Sequence, residues 1–289
     1  MAEAPAPALA QAREEFLALV ASVRPELHRY CARLTGSVIE GEDIVQEALA
    51  RAFYALSLQS EMPALRPWLF RIAHNAALDH LKSHGRRFTE VRDDLESVAG
   101  YDEAPDPLAV RAALAGFLAL PVIQRSAVIL KDVLGCSLEE TAEVVETTVM
   151  AVKAALVRGR ARLKTDATAD DSPRDEPVKA ALDRYASLFN ARDWDGLRAL
   201  VAEDCKLDLV SKSQRQGRAV GMYFARYEKE DVRLRPVRLD GQLALAAHVG
   251  DSERPSYFIV LDVKDGRVAS IRDFRYVPYI ANEAEPEPV

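Results

Sequence analysis

The sequence predicts a multidomain chain, two all-α helical domains followed by an α+β domain. Three observations predict it. Apolar residues recur at helical spacing from Phe16 to about Leu163, alternation replaces that spacing beyond Leu207, and two polar segments interrupt the pattern. With 289 residues, 49% of them apolar, the chain suits two or three small cores better than one large one.

Phe16, Leu19, Val23, Leu27, Tyr30 and Leu34 share one face of a first helix, which Gly36 breaks. A second amphipathic run passes through Ile44, Ala48, Leu49, Ala52, Phe53 and Leu56. Glu40 to Asp43 give it an acidic first turn, where a helix N-terminus favours negative charge. A third helix starts near Pro67, a residue tolerated in a first turn. It continues through Trp68, Leu69, Ile72, Ala73, Ala76 and Leu81 and ends near Gly85. These helices make a first domain, 10–88, and the acidic stretch 89–107 reads as a linker. Helical spacing resumes at Leu108 and runs to Pro121, then from Gln124 to Leu134. Two shorter helices follow, Leu138 to Val145 and Thr148 to about Leu163, giving a second domain, 108–164.

The segment 165–177, rich in Asp, Ser, Thr and Pro, is a second linker. Beyond it lie a helix from Val178 to Asn190 and another from Trp194 to Val201. Period-two runs then span Leu207 to Val210, Val232 to Leu239, Leu243 to Val249, Tyr257 to Val263 and Val268 to Phe274. This is the α+β domain, 178–280, with helices first and a curved antiparallel sheet after. The Glu/Pro tail, 281–289, is expected to be disordered.

Composition narrows the function. The net charge of -7 makes a free-standing binder of nucleic acid a poor reading, because such affinity comes largely from phosphate neutralisation. A role on DNA then requires local basic surface or delivery by a larger assembly. Cys31, Cys136 and Cys205 lie far apart, without the paired spacing of a zinc site or a redox couple, and read as reduced core thiols. No metal or cofactor is expected. Met1 to Glu15 lack the basic start and apolar run of a signal peptide, and no later stretch suits a bilayer span, so a cytoplasmic protein with no membrane partner is expected.

Two stretches carry polar chemistry. Ser137-Leu-Glu-Glu-Thr-Ala-Glu-Val-Val, continued by Glu146-Thr-Thr-Val-Met-Ala-Val-Lys, has the layout of a helix-turn-helix. Ser137 with Glu140 forms the pattern of a capping box, and Thr147 or Thr148 is placed to cap the second helix. Two core helices of an ordinary bundle would give a similar pattern. Upstream, Trp68 to Arg87 sets aromatics, amides, imidazoles and cations on one helix and its exit. That mixture suits a surface holding a separated nucleic-acid strand, although Trp68 and Phe70 fit a core equally well.

At these residues the chain from about Ala10 to Lys164 resembles the extracytoplasmic-function sigma factors of bacterial RNA polymerase. Asp43-Ile-Val-Gln-Glu-Ala resembles the region 2 helix that docks on core polymerase, which implies contacts from Asp43, Gln46 and Glu47. Pro67-Trp-Leu-Phe-Arg-Ile-Ala-His-Asn with Leu78-Asp resembles the minus-10 element, which implies roles for Trp68, Arg71, His74, Asn75, Asp79, Lys82, Ser83, His84, Arg86 and Arg87. Leu120-Pro-Val-Ile-Gln-Arg and the helix-turn-helix resemble region 4, which reads the minus-35 element. The implied contacts there are Thr147, Thr148, Met150, Lys153, Ala154, Arg158 and Arg160. Core polymerase and promoter DNA are the implied partners, and the sequence does not decide whether an anti-sigma protein exists. Glu146 stands where the family often has Gly, a left-handed turn position costing a side chain roughly 1–2 kcal/mol.

The third domain resembles the SnoaL-like, ketosteroid-isomerase-like family through Tyr185, Leu188, Asn190, Asp193, Trp194 and Val268-Ala-Ser-Ile-Arg-Asp-Phe. The resemblance implies a cone with room for a small hydrophobic ligand. His248, Asp208, Asp262 and Asp273 are the acid/base candidates, none distinguished by sequence, so a regulatory role is favoured and no catalytic residue is assigned. Two other readings stay open: a ligand-gated helix-turn-helix regulator acting without polymerase, and an isomerase or cyclase with a helical appendage.

Overall fold

The computed structural model describes residues 7–58, 64–83, 104–106, 109–110, 112, 114–163, 176–217 and 221–289. The chain divides into two compact units, residues 1–168 and 169–289.

The first unit is helical: α1 (Pro7–Thr35), α2 (Val38–Leu58), α3 (Leu65–Ser83), α4 (Leu114–Leu118), α5 (Val122–Val128), α6 (Leu138–Val144) and α7 (Val149–Leu163). Helix α5 runs into a π turn, Ile129–Val133. The predicted helical segments share one hydrophobic core, in which Leu27, Tyr30, Leu34, Ile44 and Phe70 join Phe117, Val128, Ile129, Val152 and Leu156. Close helix approach depends on two glycines. A Cβ on Gly41 would lie 2.7 Å from the Ala32 nitrogen, and one on Gly159 would lie 2.8 Å from a Val128 methyl. Three expectations shift. Phe53 is 50% exposed rather than part of the α2 core face, because the partner helices cover the side marked by Ile44, Val45, Ala48 and Ala52. Of the helix expected from Leu108, the described helical parts are Ala109 with Val110 and the short α4. The Leu134 end of the next helix is π-wound.

The helix-turn-helix forms as its local chemistry dictates. Glu140 N–H donates to Ser137 Oγ at 3.0 Å while Ser137 N–H donates to Glu140 Oε2 at 2.8 Å, a reciprocal capping box. Thr148 caps α7 through Ala151 N–H at 3.2 Å. Between them Glu146 sits at φ 53°, the left-handed conformation expected for this turn.

The second unit has α8 (Glu176–Asn190), α9 (Trp194–Leu200), α10 (Gly221–Tyr227) and α11 (Tyr279–Glu283), with strands β1 (Val201–Leu209), β2 (Ser213–Gln216), β3 (Val232–Leu239), β4 (Gln242–Val249), β5 (Tyr257–Lys264), β6 (Arg267–Asp273) and β7 (Glu287–Pro288). The sheet order is β2-β1-β6-β5-β4-β3-β7. Only the β1–β6 pairing is parallel among the described ladders. One face, with Leu207, Leu234, Leu245, Ile259 and Ile271, packs against α8 and α10. Residues named for the second resemblance hold this packing. Asn190 Nδ2 donates to the Leu234 carbonyl and its Oδ1 accepts from Leu234 N–H, both at 2.9 Å. Asp193 caps α9, and Trp194 meets Phe189 edge-on at 5.5 Å. The sequence reading missed β2, α10, α11 and β7. The expected tail disorder is corrected: Glu287 and Pro288 pair with Arg238 and Val237, because the β3 edge offers backbone groups that an extended segment satisfies.

Glu146→Gly is expected to stabilise the chain by about 1 kcal/mol, the relief of left-handed strain less the added entropy of glycine in the unfolded state. Chemical-denaturation midpoints check it, and a lower midpoint would contradict the strain.

Candidate functional site

The site residues are presented by three helices of the first unit. On α2, Asp43 and Gln46 are half-buried and Glu47 is exposed. Beneath them Glu42 is fully buried in an ion pair with Arg24 and accepts from Gln46 Nε2 at 3.3 Å. Glu47 binds Arg51 at 2.6 Å, and Arg51 reaches Asp79 of α3 at 3.3 Å. The stripe Asp43, Gln46, Glu47, Arg51 and Tyr54 follows helical spacing, and Tyr54 is 68% exposed.

On α3, Arg71 and Asn75 are half-buried while Asp79, Lys82 and Ser83 are exposed, a row along one side of the helix. Trp68 and His74 point inward. His74 Nδ1 lies 2.7 Å from Tyr30 Oη, and Tyr30 meets Phe70 edge-on at 5.8 Å. Burial pushes the His74 imidazole down to about 4, so at neutral pH it supplies no cation. His84, Arg86 and Arg87 lie outside the described residues.

On the helix-turn-helix, Thr148 and Met150 are exposed, Met150 at 57%. Thr147, Lys153 and Arg158 are half-buried. Two residues named from the resemblance do not reach the surface. Ala154 packs inward, and the buried Arg160 donates to Asp132 at 3.0 and 2.6 Å and to the Ala104 carbonyl at 3.0 Å. A guanidinium fixed on both oxygens of a buried carboxylate holds α7 to the π turn instead of facing outward.

The sequence reading also missed the side chains that bind the helical segments together. Arg125 of α5 is buried and donates to the carbonyls of Leu34, Leu118 and Leu120, at the ends of α1 and α4. Arg66 at the start of α3 pairs with Glu26 of α1 at 2.8 Å and extends to Cys136 Sγ at 3.6 Å and Glu140 at 3.8 Å. Arg125 stood in the quoted region 4 motif, but nothing local to it names a partner so distant in sequence.

In the second unit, His248 is buried against the Ser252 carbonyl at 3.1 Å, Asp208 lies 3.8 Å from Arg272, and Asp262 is exposed beside Lys264. Asp273 differs from these. It is fully buried and accepts from Tyr223 and Tyr227, and a burial-driven rise opposes the hydrogen bonds that favour its ionised form. Tyr223 and Tyr227 sit one helical turn apart on α10, a helix the sequence reading did not find. Among the described residues no group of three His, Cys, Asp or Glu is placed to hold a metal, and no helix is long and apolar enough to cross a membrane.

Comparison with known proteins agrees with this layout. Residues 19–87 match the family described as Sigma-70 region 2, and residues 112–163 match Sigma-70, region 4. The ECF RNA polymerase sigma factor SigM of Mycobacterium tuberculosis is 35% identical over 140 residues, covering 48% of this chain and 69% of SigM. The ECF RNA polymerase sigma factor SigG of the same species is 29% identical over 304 residues, covering 91% of this chain and 81% of SigG. Two solved structures align at low TM-score. The sigma factor RpoE of Bartonella quintana, crystallised with the anti-sigma factor NepR, aligns at 0.40 with 23% identity, over 53% of this chain and 99% of that one. A putative ketosteroid isomerase of Kribbella flavida aligns at 0.27 with 26% identity, over 34% and 76%. The chain belongs to the extracytoplasmic-function RNA polymerase sigma factors, which direct promoter-specific initiation by core polymerase.

The buried His74 gives the fold an acid sensitivity. Its unfolded pKa is near 6.5 and its folded value about 4, so between these the unfolded chain binds a proton that the folded chain does not. His74 burial is therefore fully tolerated above about pH 6.5, and stability falls as the pH drops toward 4, by about 3 kcal/mol in all. His74→Gln is expected to flatten that part of a stability–pH profile, and equal slopes in both proteins would assign the sensitivity elsewhere.

Proposed function

We propose that Asp43, Gln46 and Glu47 dock on core polymerase and that Arg71, Asn75, Asp79, Lys82 and Ser83, with His84, Arg86 and Arg87 beyond them, hold the opened minus-10 strand. Thr147, Thr148, Met150, Lys153 and Arg158 read the minus-35 duplex. Trp68, His74, Ala154 and Arg160 support the helices that carry these contacts, which their burial favours. The domain division follows the same reading: 10–88 for region 2, 108–164 for region 4 and 178–280 for a SnoaL-like domain, with linkers at 89–107 and 165–177.

The observation that carries the mechanism is the shared core of α3 and the helix-turn-helix. Promoter elements centred about 25 base pairs apart lie roughly 85 Å apart on B-DNA, at about 3.4 Å per base pair. A compact unit of about 150 residues has a radius of gyration near 15 Å. One closed body cannot touch both elements. The helical segments therefore separate when the chain engages promoter DNA with polymerase, and the contacts of Arg66 and Arg125 set the balance between closed and open forms. The acidic net charge fits this division of labour, in which polymerase supplies much of the grip on DNA.

The C-terminal domain regulates that balance and is not an enzyme. Its buried carboxylate, Asp273, accepts from Tyr223 and Tyr227 on one oxygen and from Arg275 N–H on the other, contacts that suit a structural carboxylate.

Purified core polymerase with a template carrying the gene's own upstream region tests the reading. Specific transcripts are expected only when the chain is added, with different yields for the full chain and a chain cut after Lys164. No transcript with either form would reject the assigned sites, and equal yields would reject regulation by the C-terminal domain. Arg66→Ala is expected to enlarge the helical unit in small-angle scattering, and unchanged dimensions would remove Arg66 from the closed-state contacts.

A further inference from the structure

The start of α7 carries few groups that can read a base by hydrogen bonds. In a helix-turn-helix the second helix lies in the major groove with its N-terminal residues toward the base edges. Here the run from Thr147 to Val157 is Thr-Thr-Val-Met-Ala-Val-Lys-Ala-Ala-Leu-Val, in which Lys153 is the only charged residue. It holds no arginine for guanine and no asparagine or glutamine for adenine, the side chains that grip two atoms of one base. The arginines come later. Arg158 is half-buried and stands about 12 Å along the helix from Met150, at 1.5 Å per residue. Arg160 is held by Asp132, and Arg162 donates to Gln124 Oε1 at 2.9 Å.

Met150 is the large side chain that this stretch turns outward. Val149 packs against the hydrophobic core and Val152 is buried in it, whereas Met150 between them is 57% exposed. Burial would favour a methionine, so the fold gains nothing from an apolar residue held in water here. Its place is fixed, because Thr148 Oγ1 accepts from Ala151 N–H at 3.2 Å and sets the first turn from which Met150 projects. The flexible, polarisable thioether fits itself to an irregular apolar surface. In the major groove that surface is the C5 methyl group of thymine.

We propose that Met150 selects thymine in the minus-35 element by covering its C5 methyl group. The inference rests on the reading of Thr147 to Arg158 as the minus-35 surface and names the base feature that this surface recognises. Lys153, three residues on along the helix, adds positive charge toward the duplex. Selectivity then comes from an apolar contact, and attraction from charge.

The test is transcription by core polymerase and the full chain from templates in which each thymine of the minus-35 element, on either strand, is replaced in turn by uracil. Uracil pairs as thymine does and lacks only the methyl group. One replacement is expected to lower the yield about fourfold, the effect of one buried methyl group. Met150→Ala is expected to give equal yields from thymine and uracil at that position. Met150→Leu, which keeps an apolar side chain of similar reach, is expected to retain the preference. Because Met150 is exposed, neither variant is expected to move the thermal midpoint. Equal wild-type yields from all templates, a preference that survives Met150→Ala, or an element of G·C pairs alone overturns the proposal. Absence of any transcript from the unmodified template overturns the minus-35 reading itself, and this inference with it.

Discussion

The helical unit depends on one buried guanidinium. Arg125 enters the place where α1 and α4 end and donates to the carbonyls of Leu34, Leu118 and Leu120. The last carbonyls of a helix have no intrahelical donor and carry partial negative charge, so a buried arginine there satisfies acceptors and the helix dipole together. Leu34, Phe117, Leu120 and Val128 belong to one hydrophobic core. The arrangement ties the C-terminal end of α1 to the helices leading into the helix-turn-helix, and the remaining contacts, including Arg66 with Glu26 and Glu140, form at the periphery where water competes.

That linkage gives the closed unit its functional tension. On the proposed assignment of promoter contacts, helices that serve separate elements are held in one core, so the free energy of closure opposes promoter engagement. A core made of many small apolar contacts and a few buried polar ones can be shifted by a partner that offers comparable surface. On α2, Glu47, Arg51 and Tyr54 are exposed beside the half-buried Asp43 and Gln46, and the end of α3 at Lys82 and Ser83 is exposed as well. The proposed docking surface on α2 is thus accessible while the helices share their core.

The C-terminal unit places its polar groups by a different logic. On its sheet face the buried Asp273 lies among tyrosines and is balanced by three donors. Arg275 lies over the Tyr227 ring at 4.7 Å and pairs with Glu230, closing the cluster on one side.

The sequence by itself determined the elements whose causes are local. The helical period, the Ser137–Glu140 capping box and the central strands of the sheet follow from relations within a few residues, and each was legible, while the left-handed turn at Glu146 was legible through the family resemblance. The family was legible for the same reason, since its motifs are contiguous. Only the tertiary structure decided which motif side chains face inward. The family resemblance implied contacts from Trp68, His74, Ala154 and Arg160, yet Arg160 meets Asp132 across 28 residues and His74 meets Tyr30 across 44. Tyr223 joins Asp273 across 50 residues, and Arg125 meets the Leu34 carbonyl across 91. Burial is a property of what packs on a residue, and no periodicity in the chain encodes a neighbour that far away.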